Sequence, residues 1–515
     1  MNTNSPWLVR RSAWALAWPL LLALVVGVAF QGSRGLMETS ETRYAECARE
    51  MLVTGNWLEP TLEFEPHWTK PPVTYWCMAL GMRLCGVNAW GVRLPAVLAL
   101  LAAVAAVTLT GRRLWSLKAG CIAGLALALG YPGLAANMAT TDIYLLGAQA
   151  AAGAMFLVAA TEPSAASRLA LTRGMWALWG ICFLIKGPPA LLPLVAIVPW
   201  NALQPKAKRV PLADTLGLAL AAGIGLSWYL LVVARHPELL GYFVGTEIVD
   251  RVASDLGHNR AWYKAFEVYV PAMLGVAGVF GLWAAGRAWS AGWKHSARWR
   301  ELWLARDERL LLVGWILLPL LVFSLSTSKL PLYVLPLSVP VALLSGRVLA
   351  RRTRWWRVRS VALALAALLI LIKGAAARWP SDRDMAALAR EVKIELQGAP
   401  PQAQLVLWDR AKMHGLSFYL ELPPDGLPWR VATKSRGPFD DCDVDECARR
   451  LREPAHAAGA VIVAARKSNA ALGPETLLDK DWIRSERETE FWRFLRVEAA
   501  PDLSMQAASQ AEQAH

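Results

Sequence analysis

Charge is what this 515-residue sequence has least of: Asp, Glu, Lys and Arg make up 18% of it, against about one quarter in an ordinary soluble domain. With 55% hydrophobic residues, that shortage excludes a soluble enzyme, and it argues against a nucleic-acid binder even at a net charge of +14. Cysteine is scarce too. Seven of them, an odd number spread along the chain, exclude a disulfide scaffold and match no zinc-ligand spacing. No cleavable signal peptide is expected either, because the first apolar run, Trp14 to Phe30, ends without a small-x-small site and reads as a retained anchor. What is plentiful points to a bilayer: 26 tryptophans, whose amphipathic rings favour the membrane–water boundary.

A helix needs about 20 apolar residues to cross the hydrocarbon, since lipid cannot satisfy exposed backbone groups. That measure predicts eleven spans, near 14–31, 91–111, 116–137, 142–161, 174–187, 188–203, 213–234, 266–286, 308–326, 332–350 and 360–377. The fifth and sixth are short and meet at Gly187-Pro188-Pro189, so a bent or re-entrant pair is an alternative. Basic residues crowd alternate loops, from Arg10 and Arg11 through Arg112, Arg113, Lys118, Arg168, Arg173 and 206–209 to the runs at 287–309 and 347–359. Short loops rich in Lys and Arg stay in the cytoplasm. The N-terminus is therefore expected in the cytoplasm and the C-terminal region outside, which makes much of the positive charge a topology signal.

The outer loops hold four dense polar segments: Gly35 to Val87, Thr140-Thr141-Asp142, Arg235 to Glu267, and Ser328 to Tyr333. From Tyr44 onward, Tyr44, Ala48, Met51 and Leu52 recur on one side and Arg43, Glu46, Arg49 and Glu50 on the other, which predicts an amphipathic helix lying in the interface. Ser40 is placed to cap it and Glu41 sits in its first turn, where the helix dipole favours an acid. Capping is the plain role for Glu41, interfacial snorkelling the plain role for Lys70, and a helix cap the plain role for Asp142. Yet a carboxylate at the rim of an apolar helix is costly and marks function by default. Together the segments bring Arg43, Lys70, Lys186, Arg251 and Lys329 to one membrane face, with Glu41 and Asp142 among them. Cations at a lipid boundary suit a phosphate whose tail stays in the bilayer, and the carboxylates suit activation of an acceptor hydroxyl.

The run Glu38-Thr-Ser-Glu-Thr-Arg-Tyr-Ala-Glu-Cys-Ala-Arg-Glu-Met-Leu52, then Gly55-Asn-Trp57, Lys70-Pro-Pro72 and Tyr75-Trp76, resembles the first outer loop of bacterial aminoarabinose transferases of lipid A. These are polyprenyl-phosphate-dependent GT-C glycosyltransferases related to protein O-mannosyltransferases. The likeness continues through Arg93-Leu-Pro95, Asp142, Ile185-Lys-Gly187, His236 to Phe243, Arg251 and Ser328 to Pro336, and covers most of residues 14–350. It implies a polytopic α-helical GT-C membrane protein of the bacterial inner membrane that moves a sugar from a polyprenyl-phosphate donor to an acceptor such as lipid A on the periplasmic face. It further implies that Arg43, Lys70 and Arg251 hold the donor phosphate with Tyr333 near it, and that Asp142 lines the catalytic cavity; by their position on the outer face, Lys186 and Lys329 are expected to join the phosphate-binding set and Glu41 to be a second candidate for acceptor activation. No metal or other cofactor is expected. Three departures qualify the match: Ser40 stands where the family has Asp, Thr69 where it has Glu, and Ile248 where it has His. The last two cannot replace zinc ligands. Losing all three points to a paralogue with another donor or acceptor, or an inactive one.

After Trp379 the sequence turns soluble in character. Strand-like runs Gln404 to Trp408, Val461 to Val463 and Phe494 to Val497 alternate with helical stretches at 383–396, 411–420 and 443–452, predicting a small C-terminal α/β domain. The expected division is 1–378 for the transmembrane catalytic domain, with its first outer loop at 32–90, 379–503 for the outer α/β domain, and 504–515 for an Ala/Gln/Ser-rich disordered tail. Cys442 and Cys447 flank an acidic run and form either a disulfide, expected outside the cytoplasm, or two free thiols; a cation site is a third option. Competing functions are a flippase for the lipid-linked sugar, a sugar-lipid-binding paralogue without activity, and a protein O-glycosyltransferase. A flippase predicts inverted repeats and midplane charges, and neither is evident.

Overall fold

A computed structural model describes residues 6–245, 261, 263–290, 307–397, 399–400, 403–407, 414–421, 460–467 and 483–498. Arg251, Ile248, the Cys442–Cys447 segment, the helix expected at 443–452 and the tail at 504–515 lie outside these described residues. The chain divides into two units, one of Met1–Ser33, Cys47–Thr61 and Glu65–Arg378, the other of Arg34–Glu46, Leu62–Phe64 and Trp379–His515.

The first unit is helical. Among the described residues, eight of its helices are long and apolar enough to cross a membrane: Ala89–Leu114, Thr141–Ala159, Ala165–Lys186, Thr215–Arg235, Lys264–Ala288, Glu308–Leu325, Pro331–Arg352 and Trp355–Arg378. The other three expected spans are occupied by shorter apolar stretches, Ala15–Val28, Leu117–Ala128 and Pro188–Leu203. Backbone chemistry explains the shortening. Gly130 and Pro132 interrupt the second stretch, so a five-residue helix, Tyr131–Ala135, follows it. In the third, Gly187 takes a positive φ of 70°, a 3-10 turn covers Pro188–Leu191, and the α-helix resumes only over Leu194–Leu203. Its predecessor, Ala165–Lys186, starts nine residues before the expected position and is a full span, so the bend lies at one end of a complete helix.

Large aliphatic side chains stand exposed along the outer faces, among them Leu230, Leu317, Leu321 and Leu371, as lipid-facing helices require. Inside, small residues let backbones meet: a Cβ on Gly111 would lie 2.8 Å from the Gly120 Cα. The basic loop ends gather by pairing with neighbouring loops, Arg113 with Glu162 at 3.6 Å, Arg173 with Asp214 at 3.0 Å and Arg347 with Glu308 at 3.3 Å.

The first-loop helix, Ser40–Thr54, departs from expectation. Its supposedly wet side is dry: Glu46, Arg49 and Glu50 are all buried, and Glu50 accepts a hydrogen bond from the Thr61 hydroxyl. The side that looked like a solvated face is therefore not exposed to solvent.

The second unit contains a four-stranded mixed sheet. Gln404–Leu407 pairs in parallel with Val461–Arg466, which pairs antiparallel with Trp492–Val497, and that strand antiparallel with Ile483–Glu488. Helix Met385–Gln397 packs its Met385, Leu388, Ala389 and Val392 against Leu405, Ile462 and Phe494. Helix His414–Leu420 lies in the chain between the two parallel strands, where a crossover is needed.

Candidate active site

Two helix ends of opposite polarity meet in the first unit. Asp142 occupies the first turn of Thr141–Ala159, where exposed N–H groups favour an anion, and Lys186 is the last residue of Ala165–Lys186, where carbonyls favour a cation. Their side chains form an ion pair, Lys186 Nζ to Asp142 Oδ1, with only 11% and 8% of the two side chains exposed. Lys186 Nζ also lies 4.5 Å from the centroid of the Tyr333 ring. Tyr333 belongs to the 3-10 segment Pro331–Leu337, and its hydroxyl is 3.3 Å from that of Ser328. A small cavity opens beneath the pair, lined by Lys186, Tyr333, Leu145, Gln149, Pro193 and Phe323. Gln149 is buried and its Nε2 donates to the Ala190 carbonyl at 2.5 Å. Sequence reasoning missed it, although a carboxamide seven residues after Asp142 on an apolar helix shares its face.

Lys329 and Lys70 each donate to a carbonyl of their own loop. Lys329 is buried, with Nζ donating to the Ser326 carbonyl at 2.7 Å. Lys70 donates to the Thr69 carbonyl at 2.6 Å, and the Thr69 hydroxyl shares a 2.7 Å hydrogen bond with His67 Nε2. A threonine hydroxyl already occupied by that imidazole does not fit a zinc site. The segment at His236–Phe243 builds an aromatic cluster: Trp68 lies 5.4 Å from His236 and 6.4 Å from Trp228, and Phe243 lies 5.6 Å from Trp228 and 5.1 Å from Tyr229.

Glu41 and Arg43 belong to the second unit. Glu41 Oε2 accepts from the Met37 N–H at 2.9 Å, so this carboxylate holds the segment that leads into helix Ser40–Thr54. Arg43 is half-buried and its Nη2 donates to the Tyr44 hydroxyl at 3.4 Å. The structure therefore brings Asp142, Lys186 and Tyr333 together in one unit and sets Glu41 and Arg43 in the other.

A family model described as dolichyl-phosphate-mannose-protein mannosyltransferase matches residues 69–246. An undecaprenyl phosphate-alpha-4-amino-4-deoxy-L-arabinose arabinosyl transferase of Pseudomonas fluorescens is 31% identical over 368 residues, 70% of this chain and 64% of the relative. One of the same name from Erwinia tasmaniensis is 32% identical over 350 residues, 65% of this chain and 59% of the relative. The chain thus spans less than two thirds of the length of these curated relatives. In three dimensions it is similar to ArnT from Cupriavidus metallidurans bound to undecaprenyl phosphate, with a TM-score of 0.69 at 20% identity, over 95% of this chain and 99% of that one. The apo form of that protein gives 0.70 at 21% identity, over 95% and 98%.

Proposed function

We infer, from its place among the aminoarabinose-transferase-like proteins of the GT-C fold, that this multi-pass membrane protein is a glycosyltransferase that moves a sugar from a polyprenyl-phosphate donor to a lipid A or lipopolysaccharide-type acceptor. The observation that carries this reading is the buried Asp142–Lys186 pair beside Tyr333, a carboxylate held ready at the rim of an apolar helix. Asp142 takes the proton of the acceptor hydroxyl as its oxygen attacks the anomeric carbon. The bond to phosphate breaks and polyprenyl phosphate departs, its charge met by Arg43, Lys70, Arg251 and Lys329. Lys186 orients Asp142 through their ion pair, and Tyr333 flanks Lys186. Glu41, engaged at a helix start, is the lesser candidate for acceptor activation.

The N-terminus then lies in the cytoplasm, residues 1–378 form the catalytic domain, and the α/β domain of 379–503 lies in the periplasm. The match to a protein mannosyltransferase model at 69–246 favours, as a second reading, a protein hydroxyl as acceptor. Purified protein in vesicles, supplied with polyprenyl-phosphate sugars and either lipid A or a peptide acceptor, tests both. Sugar on lipid A supports the first and sugar on peptide the second. Donor bound without product identifies a binding paralogue, and donor carried across the vesicle without transfer identifies a flippase.

A further inference from the structure

The cavity beneath the Asp142–Lys186 pair has a volume of about 20 Å³, room for one water molecule and little more. Its wall is mostly apolar, and four of the residues on it are prolines, which have no N–H to offer. The side chains there that can hydrogen-bond are Gln149, Lys186 and Tyr333. Gln149 is 2% exposed, and the two ends of its amide differ. Nε2 donates to the Ala190 carbonyl at 2.5 Å, in the 3-10 turn Pro188–Leu191 that follows Lys186. Turning the amide over would set its oxygen against that carbonyl oxygen, so its orientation is fixed. Oε1 is buried and finds no donor among the described residues. A bare carbonyl oxygen in an apolar wall is costly, and a buried water is the usual remedy.

The other half of such a site is Lys186. Its ammonium carries three N–H donors; the ion pair with Asp142 uses one, and the Tyr333 ring covers another side. Gln149 follows Asp142 on the helix Thr141–Ala159, and long helical side chains lean back toward the N-terminus, which carries the amide toward the pair. An acceptor and a spare donor thus line one cavity the size of a water.

We propose that Gln149 and Lys186 hold one water in this cavity, and that through it Gln149 is a positioning residue for Asp142. The water accepts from Lys186 Nζ and donates to Gln149 Oε1. This satisfies the buried oxygen and fixes the ammonium between the water and the carboxylate. A lysine head on its flexible four-carbon stem is mobile unless held on more than one side; held so, it keeps Asp142 in one orientation toward the acceptor. The inference deepens the reading of Asp142 as the base and rests on it.

The test is transfer from undecaprenyl-phosphate aminoarabinose to lipid A by the full chain in vesicles, for wild type, Q149M, L337F and D142N. Q149M removes the acceptor oxygen but also the bond to Ala190, whereas L337F crowds the cavity and leaves that bond in place. Both should lower kcat about tenfold with the donor KM unchanged, as expected when one orienting hydrogen bond is lost. If D142N turns over like wild type, the reading of Asp142 as the base fails. If D142N is inactive and Q149M is not slowed, the water link alone is overturned. A loss in Q149M that L337F does not share also overturns it, since the Ala190 bond then explains the effect. A raised donor KM with kcat kept places a sugar contact at Gln149 and overturns the water. Should the variants not fold, or the wild type not use this donor, X-ray radiolytic labelling of the intact protein decides, because ionised bound water oxidises the side chains beside it. Leu145 and Leu337 line the cavity and are 3% and 2% exposed, so both should be labelled, and their protection overturns the proposal.

Discussion

The two units handle buried charge in opposite ways. In the first, Asp142 and Lys186 are both ionisable and both nearly dry, and each is tolerated because the other and a helix end of matching polarity offset it. In the second, Glu38 is buried among groups that do not fully compensate it, and the carboxyl responds by holding its proton to about neutral pH. A pair fixes charge in place, whereas an imperfect cluster turns charge into a variable.

The largest effect expected is on turnover. Asp142→Asn preserves size and hydrogen bonding but removes the base, so transfer should fall by about 10²–10⁴-fold with the protein still folded. Unchanged turnover would remove Asp142 from the mechanism and leave its pairing purely structural. Next comes stability: Lys186→Met strands a buried carboxylate and should cost about 3–5 kcal/mol, read as a drop in the thermal midpoint in detergent. Adding Asp142→Asn to it should restore most of the loss. A double variant no more stable than the single would mean that the pair is not what holds these helix ends.

Glu38 supplies the contrasting case. Its folded-state carboxyl titrates near 7 and its ordinary value is 4.5, so the folded state binds the extra proton between those values. Stability should therefore be greatest below about pH 4.5 and fall, by up to about 3 kcal/mol, as pH rises through 7. Thermal midpoints of wild type and Glu38→Gln, taken across that window, should converge at low pH and separate at high pH. Parallel curves would show that Glu38 is compensated after all.

How much of this was legible in the sequence follows from the range of the interactions. Spans were readable because apolar runs are local, and Asp142, Lys186 and Tyr333 could be singled out because they stand in short distinctive polar segments. That Lys186 pairs with Asp142, 44 positions away in the chain, was not readable, because both were simply outer-face charges. The buried hydrogen bond between His414 and Glu63 in the second unit was hidden for the same reason: the two are 351 residues apart, and no periodicity joins them. The polar side of Ser40–Thr54 looked like a solvated face because amphipathic spacing records polarity, not whether a partner awaits it. Strand Ile483–Glu488 was missed because its Arg-Ser-Glu-Arg-Glu run carries no apolar alternation, as befits a strand paired on one side only.

The smallest expected effect lies on that strand. Arg487 bonds Glu391 at 2.8 Å through Nη1 and Glu395 through Nε, and its guanidinium lies 5.3 Å from the centroid of the Phe494 ring. It resembles the Lys186 site as a drawing of charges, but 37% of its side chain is exposed, so water already solvates the cation and screens the pair. Two further facts limit its value. Glu391 and Glu395 are one helical turn apart and repel by a few tenths of a kcal/mol, and Arg487 partly offsets a strain that solvent also relieves. Arg487→Ala should therefore cost about 1 kcal/mol or less, and that cost should shrink as salt is raised, since exposed pairs weaken as the Debye length shortens. Lys186→Met should cost the same at low and high salt, because no ions reach its partner. Chemical denaturation of both variants at two ionic strengths separates the cases, and a salt-insensitive Arg487→Ala would place this pair, against its exposure, in the same class as Asp142 and Lys186.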